Sequence, residues 1–294
     1  MQSLDLLASL PEGARPLLSR PDLAYIGITT KRGPHVTPDL FTFWGGSIWI
    51  VTARRTLKAR NLHSGRRVGV LLRHGAHSLL VEGEVGKLDP LAPRDVAKAW
   101  RDAAIAPFAL ASFGVRNAHH LAGLLGDPRS LPHSPDTVRV PIAIRPVRAA
   151  VIEGWRVTTT LGRWVSEDAP DAEPRDGVAG DLPDSFEHAS EAGIADAVIG
   201  WERNGVALPL PGMWDGASFT ASVPSELMAL VGAADAAPAS VTLERSAGTH
   251  IDDKEGMLLR GDATASTTGP VTEVAFDLER ATRWDGAETE TVTV

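Results

Sequence analysis

The sequence contains no cysteine and only one tyrosine among its 294 residues. Without cysteine, the chain cannot form disulfides, thiolate zinc sites, cysteine-ligated iron–sulfur clusters or a cysteine nucleophile. No run approaches the roughly 20 consecutive apolar residues that a membrane-spanning helix requires. The amino-terminal segment also lacks the basic stretch with which a signal peptide begins. We therefore expect a cytoplasmic protein that does not interact with membranes.

Charge is distributed unevenly along the chain. Residues 1–150 contain 20 Lys and Arg against 11 Asp and Glu, whereas residues 151–294 contain 9 against 26. The net charges are therefore +9 and −17, which indicates two halves with different roles. The basic half has no run of more than two cationic residues, and aromatic residues make up only 5% of the chain. These features disfavour nucleic acid as a ligand.

The two halves repeat one pattern of elements. A proline-containing strand begins at Val36 in the first half and at Val206 in the second, and each is followed by a turn that contains tryptophan, Trp44 or Trp214. A short helix, a β-branched strand and a glycine-bounded strand follow in both halves. The shared order, rather than residue identity, predicts an internal duplication.

Short strands separated by turn glycines dominate each copy, and helices are few. Closing five or six such strands into a barrel removes exposed sheet edges. The sequence therefore predicts a mainly β fold made of two tandem barrels with short helices. The first is expected over residues 1–165 and the second over 193–294, joined by an acidic linker, rich in proline and glycine, over 166–192.

Cationic and hydroxyl side chains are concentrated where a predicted strand gives way to a helix. They are Thr52, Arg54, Arg55, Thr56 and Lys58. Such side chains, together with free backbone N–H groups, can bind a phosphate. A solvated charged turn is the alternative interpretation of the cluster alone.

Residues 20–90 resemble the flavin-binding split-barrel family that includes pyridoxamine phosphate oxidase and deazaflavin-dependent reductases. The resemblance rests on the ordered stretches GPHVTP, WGG, TLKARNL and RVGVLL. It implies split barrels in which Lys58 holds the cofactor phosphate, with Thr52, Arg54, Arg55 and Thr56 nearby. It also implies that Val36, Thr37 and Pro38 lie along the isoalloxazine ring, largely through backbone contacts.

The function implied by the resemblance is that of an FMN-dependent oxidoreductase acting on an unidentified small molecule. Hydride chemistry would belong to the flavin, so no catalytic side chain is assigned, and no metal site is expected. FMN is preferred because its single phosphate suits the compact cationic cluster. The alternatives are a reductase that uses coenzyme F420, a non-catalytic flavin- or haem-binding protein, and a ligand-free interaction module.

The second copy departs from the pattern at the expected phosphate site. The corresponding stretch, which begins at Ala221, contains no lysine or arginine, and Glu226 adds negative charge. We expect that the second barrel lacks its own phosphate site and forms an intrachain pseudo-dimer with the first. Residues from it would then cover the flavin, with candidates Leu208, Pro209, Leu210, Trp214 and the loop HIDDKEGM. One cofactor per chain follows, and a homodimer of the whole chain remains open.

Overall fold

A computed structural model describes residues 6–20, 23–119, 138–164, 186, 194–233, 235–246, 254–285 and 288–293. The predicted linker, 166–192, lies outside the described residues except for Phe186, whose side chain is buried in a core cluster with second-barrel residues. The division of the chain into 1–165, 166–192 and 193–294 therefore stays a prediction. Within the described ranges, no helix combines the length and apolar character needed to cross a membrane.

The first sheet follows two short 3₁₀ helices, Leu7–Ser9 and Glu12–Leu18. Its strands are β1 (Leu23–Thr30), β2 (Gly33–Trp44), β3 (Ser47–Ala53), β4 (Arg67–His74), β5 (His77–Lys87), β6 (Arg139–Glu153) and β7 (Arg156–Leu161). Among the described residues, three helices accompany them: α1 (Leu57–Asn61), α2 (Pro93–Lys98) and α3 (Trp100–Arg116).

The second sheet repeats this order with a single helix among the described residues. Its strands are β8 (Ile194–Arg203), β9 (Val206–Asp215), β10 (Thr220–Pro224), β11 (Ala236–Ser246), β12 (Lys254–Thr268), β13 (Val271–Asp285) and β14 (Glu288–Thr293). Helix α4 (Ser225–Val231) follows β10, as α1 follows β3.

Each sheet closes into an antiparallel barrel of six strands. The first runs β3-β2-β1-β4-β5-β6 and closes through β3–β6, while the second runs β10-β9-β8-β11-β12-β13 and closes through β10–β13. Strands β7 and β14 add to the outer edges of β6 and β13. The prediction of a mainly β fold with two tandem barrels is confirmed.

Strand β2 changes partner along its length and thereby splits the first barrel. Its residues 33–40 pair with β1, whereas residues 41–44 pair with β3. The other edge of the 33–40 segment therefore has no strand partner among the described residues. Both the predicted ring-binding residues and the first residues after the β1–β2 turn lie on this segment, which we call the β2 edge.

The strand registers relate the two copies residue by residue. In the β1–β2 hairpin Thr30 pairs with Gly33, and in the β8–β9 hairpin Arg203 pairs with Val206. Counting along both hairpins places Trp214 at the position of Phe41 in the barrel core, not at that of Trp44. The sequence alignment, which matched the tryptophans, was wrong by three residues because it relied on one conspicuous residue type within a proline-rich strand.

The two barrels pack against each other through positions related by a pseudo-twofold axis. A Cβ atom at Gly27 would lie 3.2 Å from Cδ of Pro209, and a Cβ at Gly200 would lie 3.5 Å from Cβ of Pro34. Gly27 and Gly200 are equivalent in the two copies, so each barrel offers a glycine to the other's proline-containing strand. Val36 of the first barrel belongs to the same buried cluster as second-barrel residues. The interface is therefore a continuous apolar core.

Hydrogen bonds at the rim of this interface fix the relative position of the barrels. The Tyr25 hydroxyl donates to Glu244 Oε2 at 2.9 Å, and Arg73 donates to the Ala197 carbonyl at 3.2 Å. Burial and the Glu244 carboxylate raise the pKa of Tyr25, so its hydroxyl stays a donor. These contacts are consistent with the expected intrachain pseudo-dimer.

Candidate functional site

Two threonines organise the turn between β3 and α1. The Thr52 and Thr56 hydroxyls are hydrogen-bonded at 2.9 Å, and Thr56 Oγ1 also donates to the Ala53 carbonyl at 2.8 Å. Thr56 accepts the Ala59 N–H at 3.2 Å and so caps α1. Both hydroxyls therefore have a structural role that determines where α1 begins.

The side chain of Lys58 extends from α1 to the β2 edge. Its Nζ lies 2.8 Å from Asp39 Oδ2 and donates to the Pro38 carbonyl at 3.3 Å. The contact with Pro38 joins the two predicted parts of the site, the phosphate cluster and the ring strand. An ammonium group carries three N–H donors, so these two contacts leave one for a ligand.

A buried ionic network contacts the backbone of α1 through Lys87. The Lys87 ammonium donates to the Ala59 carbonyl at 2.7 Å and lies 3.8 Å from Asp89 Oδ2. Arg54 Nε donates to the same carboxylate oxygen at 3.1 Å. Although burial alone would raise the pKa of Asp89, its hydrogen bonds from the Leu91 N–H and Arg54 lower it. Asp89 therefore stays ionised and binds Arg54.

The β2 edge presents polar atoms that the protein itself leaves unsatisfied. His35 Nδ1 and Thr37 Oγ1 are shielded from solvent and have no hydrogen-bond partner among the described residues. The Val36 carbonyl accepts a hydrogen bond of 2.8 Å from the Thr242 hydroxyl of the second barrel. Buried polar atoms without partners are uncommon in proteins, and a water, an ion or a functional role can account for them. The edge therefore has hydrogen-bonding capacity for a bound molecule.

His35 is held in its neutral form. Burial, together with the positive charges of Arg260 and Lys58, lowers the pKa of His35 to about 3. The imidazole is therefore neutral at pH 7 and can donate from one ring nitrogen and accept at the other.

We expect the depressed pKa of His35 to make the ligand-free protein less stable in acid. The pKa of His35 is lower in the folded state than in the unfolded state, so the unfolded state binds the proton first. The free energy of unfolding is therefore unaffected above pH 6.5 and falls as the pH decreases towards 3. At pH 5 the loss should be about 2 kcal/mol. Urea unfolding at pH 7.5 and at pH 5 measures the free energy of unfolding of both proteins. Between these pH values it should decrease by about 2 kcal/mol less in His35→Asn than in the wild type. An equal decrease in both proteins would contradict the assignment.

The structure places the predicted residues in two groups. Lys58 contacts Pro38 directly, and the β2 edge carries Val36 and Thr37 beside it. Thr52 and Thr56 contact each other, Arg54 is bound to Asp89, and Arg55 is exposed. The role of these eight residues in cofactor binding therefore stays a prediction.

Sequence reasoning missed Asp39, which neutralises Lys58, and two side chains of the second barrel, Ser240 and Arg260. A charge reversal could have drawn attention to Arg260. When Gly83 and Gly261 are used as the anchor of the two glycine-bounded strands, Glu82 in the first copy corresponds to Arg260 in the second. The strand registers confirm this equivalence, because a bulge follows both residues.

The equivalent region of the second barrel is apolar and occupied by protein. Leu208 and Leu210 stand at the positions of His35 and Thr37, and both are buried. Glu226 of α4 accepts the Val157 N–H at 2.9 Å and lies 3.6 Å from Arg156, so β7 covers the start of this helix. The described residues therefore place unsatisfied polar atoms at one of the two pseudo-equivalent positions.

Neither the protein-family models nor the curated proteins give a match to this chain. Among solved structures, the chain is similar to an F420 reductase, with 20% identity and a TM-score of 0.33 over 48% of this chain and 98% of the other. General stress protein 26 from Bacillus anthracis shows 17% identity and a TM-score of 0.31 over 48% and 92% of the two chains. A FAD-binding protein from Mesorhizobium loti shows 16% identity and a TM-score of 0.33 over 48% and 94%.

Proposed function

We propose that the protein binds FMN in the cleft between the β2 edge, α1 and the second barrel, and that it is an FMN-dependent oxidoreductase. The observation that carries the proposal is the position of Lys58, whose ammonium contacts the Pro38 carbonyl beside the unsatisfied atoms of His35 and Thr37. A cation and unsatisfied polar atoms along an apolar strand suit a ligand with an anionic tail and a flat ring.

The residues of this region fit FMN. Lys58 has one N–H donor left for a phosphate oxygen, and Thr37 and neutral His35 can hydrogen-bond the polar edge of a ring. Val36 packs into the apolar interface and offers the ring an extended backbone rather than a reactive side chain. The sequence resemblance to split-barrel flavoproteins supports the same arrangement through the stretches GPHVTP and TLKARNL.

The chain's own residues bind and orient the cofactor. When bound, the flavin supplies hydride transfer, so the protein requires no nucleophile or metal of its own. Lys58 would hold the phosphate end, and the β2 edge would fix the ring against the second barrel. The closely packed barrel interface would exclude water from one face of the ring. The substrate would approach from the other face.

Absorbance and fluorescence titrations of the purified protein with FMN, coenzyme F420 and haemin test the proposal. We expect FMN to bind with a perturbed flavin spectrum, and bound FMN to be reduced by a nicotinamide donor. Preferential binding of F420 would move the protein to the deazaflavin reductases, and a Soret band on adding haemin would indicate a haem protein. Binding of none of the three would contradict the proposal.

A further inference from the structure

The second barrel presents a row of polar side chains to the β2 edge. Ser240 on β11, Arg260 on β12 and Arg280 on β13 are direct cross-strand neighbours, so they project from the same face of the sheet. Gly200 continues this row on β8, and a Cβ there would be too close to both Ser240 Oγ and Val36 Cγ2. The row therefore faces the first barrel at the β2 edge.

Each of these three side chains has a buried polar atom that no described residue satisfies. Ser240 Oγ, Arg260 Nε and Arg280 Nε are shielded from solvent and have no hydrogen-bond partner among the described residues. Arginines directly opposite each other on neighbouring strands repel, which costs free energy unless an anion lies between them. Burial and the charge of Arg32 lower the pKa of Arg260, and the nearby Glu279 compensates only in part.

The pseudo-equivalent row in the first barrel is satisfied. It consists of Gly69, Glu82 and Arg148, again as direct cross-strand neighbours. Arg148 Nε donates to Glu82 Oε2 at 2.8 Å. The guanidinium also stacks on Trp164, with its Cζ 4.6 Å from the ring centroid. The exchange of Glu82 for Arg260 thus turns an internally paired position into a cationic one, on the row that faces the unsatisfied β2 edge.

We propose that Arg260, assisted by Ser240, binds an acceptor oxygen of the ligand that lies over His35 and Thr37. This inference rests on the proposed function, since the ligand is the flavin bound by the first barrel. The second barrel would then supply a direct ligand contact in addition to covering the site. Two parts of the flavin can present an acceptor oxygen to a guanidinium: the anionic phosphate and the carbonyl oxygens at the polar edge of the ring.

Titrations of Arg260→Gln with FMN and with riboflavin, which has no phosphate, test the proposal. We expect the dissociation constant of FMN to rise by about tenfold or more, because a charge-assisted hydrogen bond is lost. A loss for FMN alone assigns Arg260 to the phosphate, and a loss for both flavins assigns it to the ring. Arg283→Gln is the matched control, because Arg283 lies on the same barrel and pairs with Glu255 at 3.5 Å.

If Arg260 had only a structural role, Arg260→Gln would lower the melting temperature of the ligand-free protein. Arg260→Gln removes a cation close to Arg32 and Arg280, so the melting temperature of the ligand-free protein should stay the same or rise. Unchanged affinity for both flavins in Arg260→Gln, with Lys58→Ala still weakening FMN binding, would overturn this inference and leave the proposed function intact.

A measurement without flavin separates failure of the proposed function from failure of the Arg260 site. If the wild-type protein binds neither flavin, the proposed function fails. Inorganic pyrophosphate should then still raise the melting temperature of the wild-type protein but not that of Arg260→Gln if the anion site is real. An equal effect of pyrophosphate on both proteins, or no effect on either, would overturn the anion site as well.

Discussion

Gly69→Ala is expected to lower the free energy of unfolding by about 3 kcal/mol, because the added methyl group would overlap with the second barrel. A Cβ at this position would lie 2.6 Å from Cδ of Pro209 and 2.9 Å from Cα of Leu208. The second of these atoms is backbone, so a rotamer change cannot relieve the overlap. The two barrels would have to move apart, which would open the apolar core that they share.

Chemical denaturation of the variant measures this loss directly. Gly114→Ala is the matched control, because a Cβ there meets no atom within 4 Å and the residue lies in α3. Alanine should stabilise that helix by about 0.5–1 kcal/mol. If Gly69→Ala unfolds at the same denaturant concentration as the wild type, the barrels are not tightly packed, and the proposed cleft loses one of its walls.

Lys58→Ala is expected to weaken FMN binding by about 10- to 100-fold, the largest effect on affinity among the residues of the first barrel. The variant removes the charge-assisted hydrogen bond to the phosphate. It also leaves Asp39 without its partner at 2.8 Å, so a negative charge would then face the phosphate. Fluorescence titration with FMN gives the dissociation constant.

Three comparisons separate a phosphate contact from a general loss of structure. Riboflavin affinity should change far less than FMN affinity in Lys58→Ala. Asp39→Asn should bind FMN more tightly than the wild type, because it removes a like charge while Lys58 remains. Lys98→Ala alters an exposed lysine on α2 and should have no effect. An equal loss of riboflavin and FMN binding in Lys58→Ala would place the phosphate elsewhere.

Much of the fold follows from local sequence signals. Alternating strands, turn glycines and the repeated element order were sufficient to predict two barrels. The alignment of the second copy with the first was harder to predict from the sequence. Its β9 strand contains two prolines and few β-branched residues, so the tryptophan was a misleading anchor.

The candidate site was only partly predictable because its contacts join distant parts of the chain. Lys58 reaches Asp39 and Pro38 across a strand and a turn, and Arg54 is bound by Asp89, which lies 35 residues away. The Thr242 hydroxyl that occupies the Val36 carbonyl is 206 residues away. Motifs identify which residue types can bind a phosphate, but tertiary pairing decides which of them remain available.

Spectroscopic titration of a known concentration of the chain with FMN tests the central claim most directly. The β2 edge carries polar atoms without hydrogen-bond partners among the described residues, whereas buried leucines occupy the pseudo-equivalent positions of the second barrel. We therefore predict saturation at one FMN per chain. Saturation at two per chain would show that the second barrel keeps its own site, and no saturable binding would show that this pair of barrels does not serve a flavin.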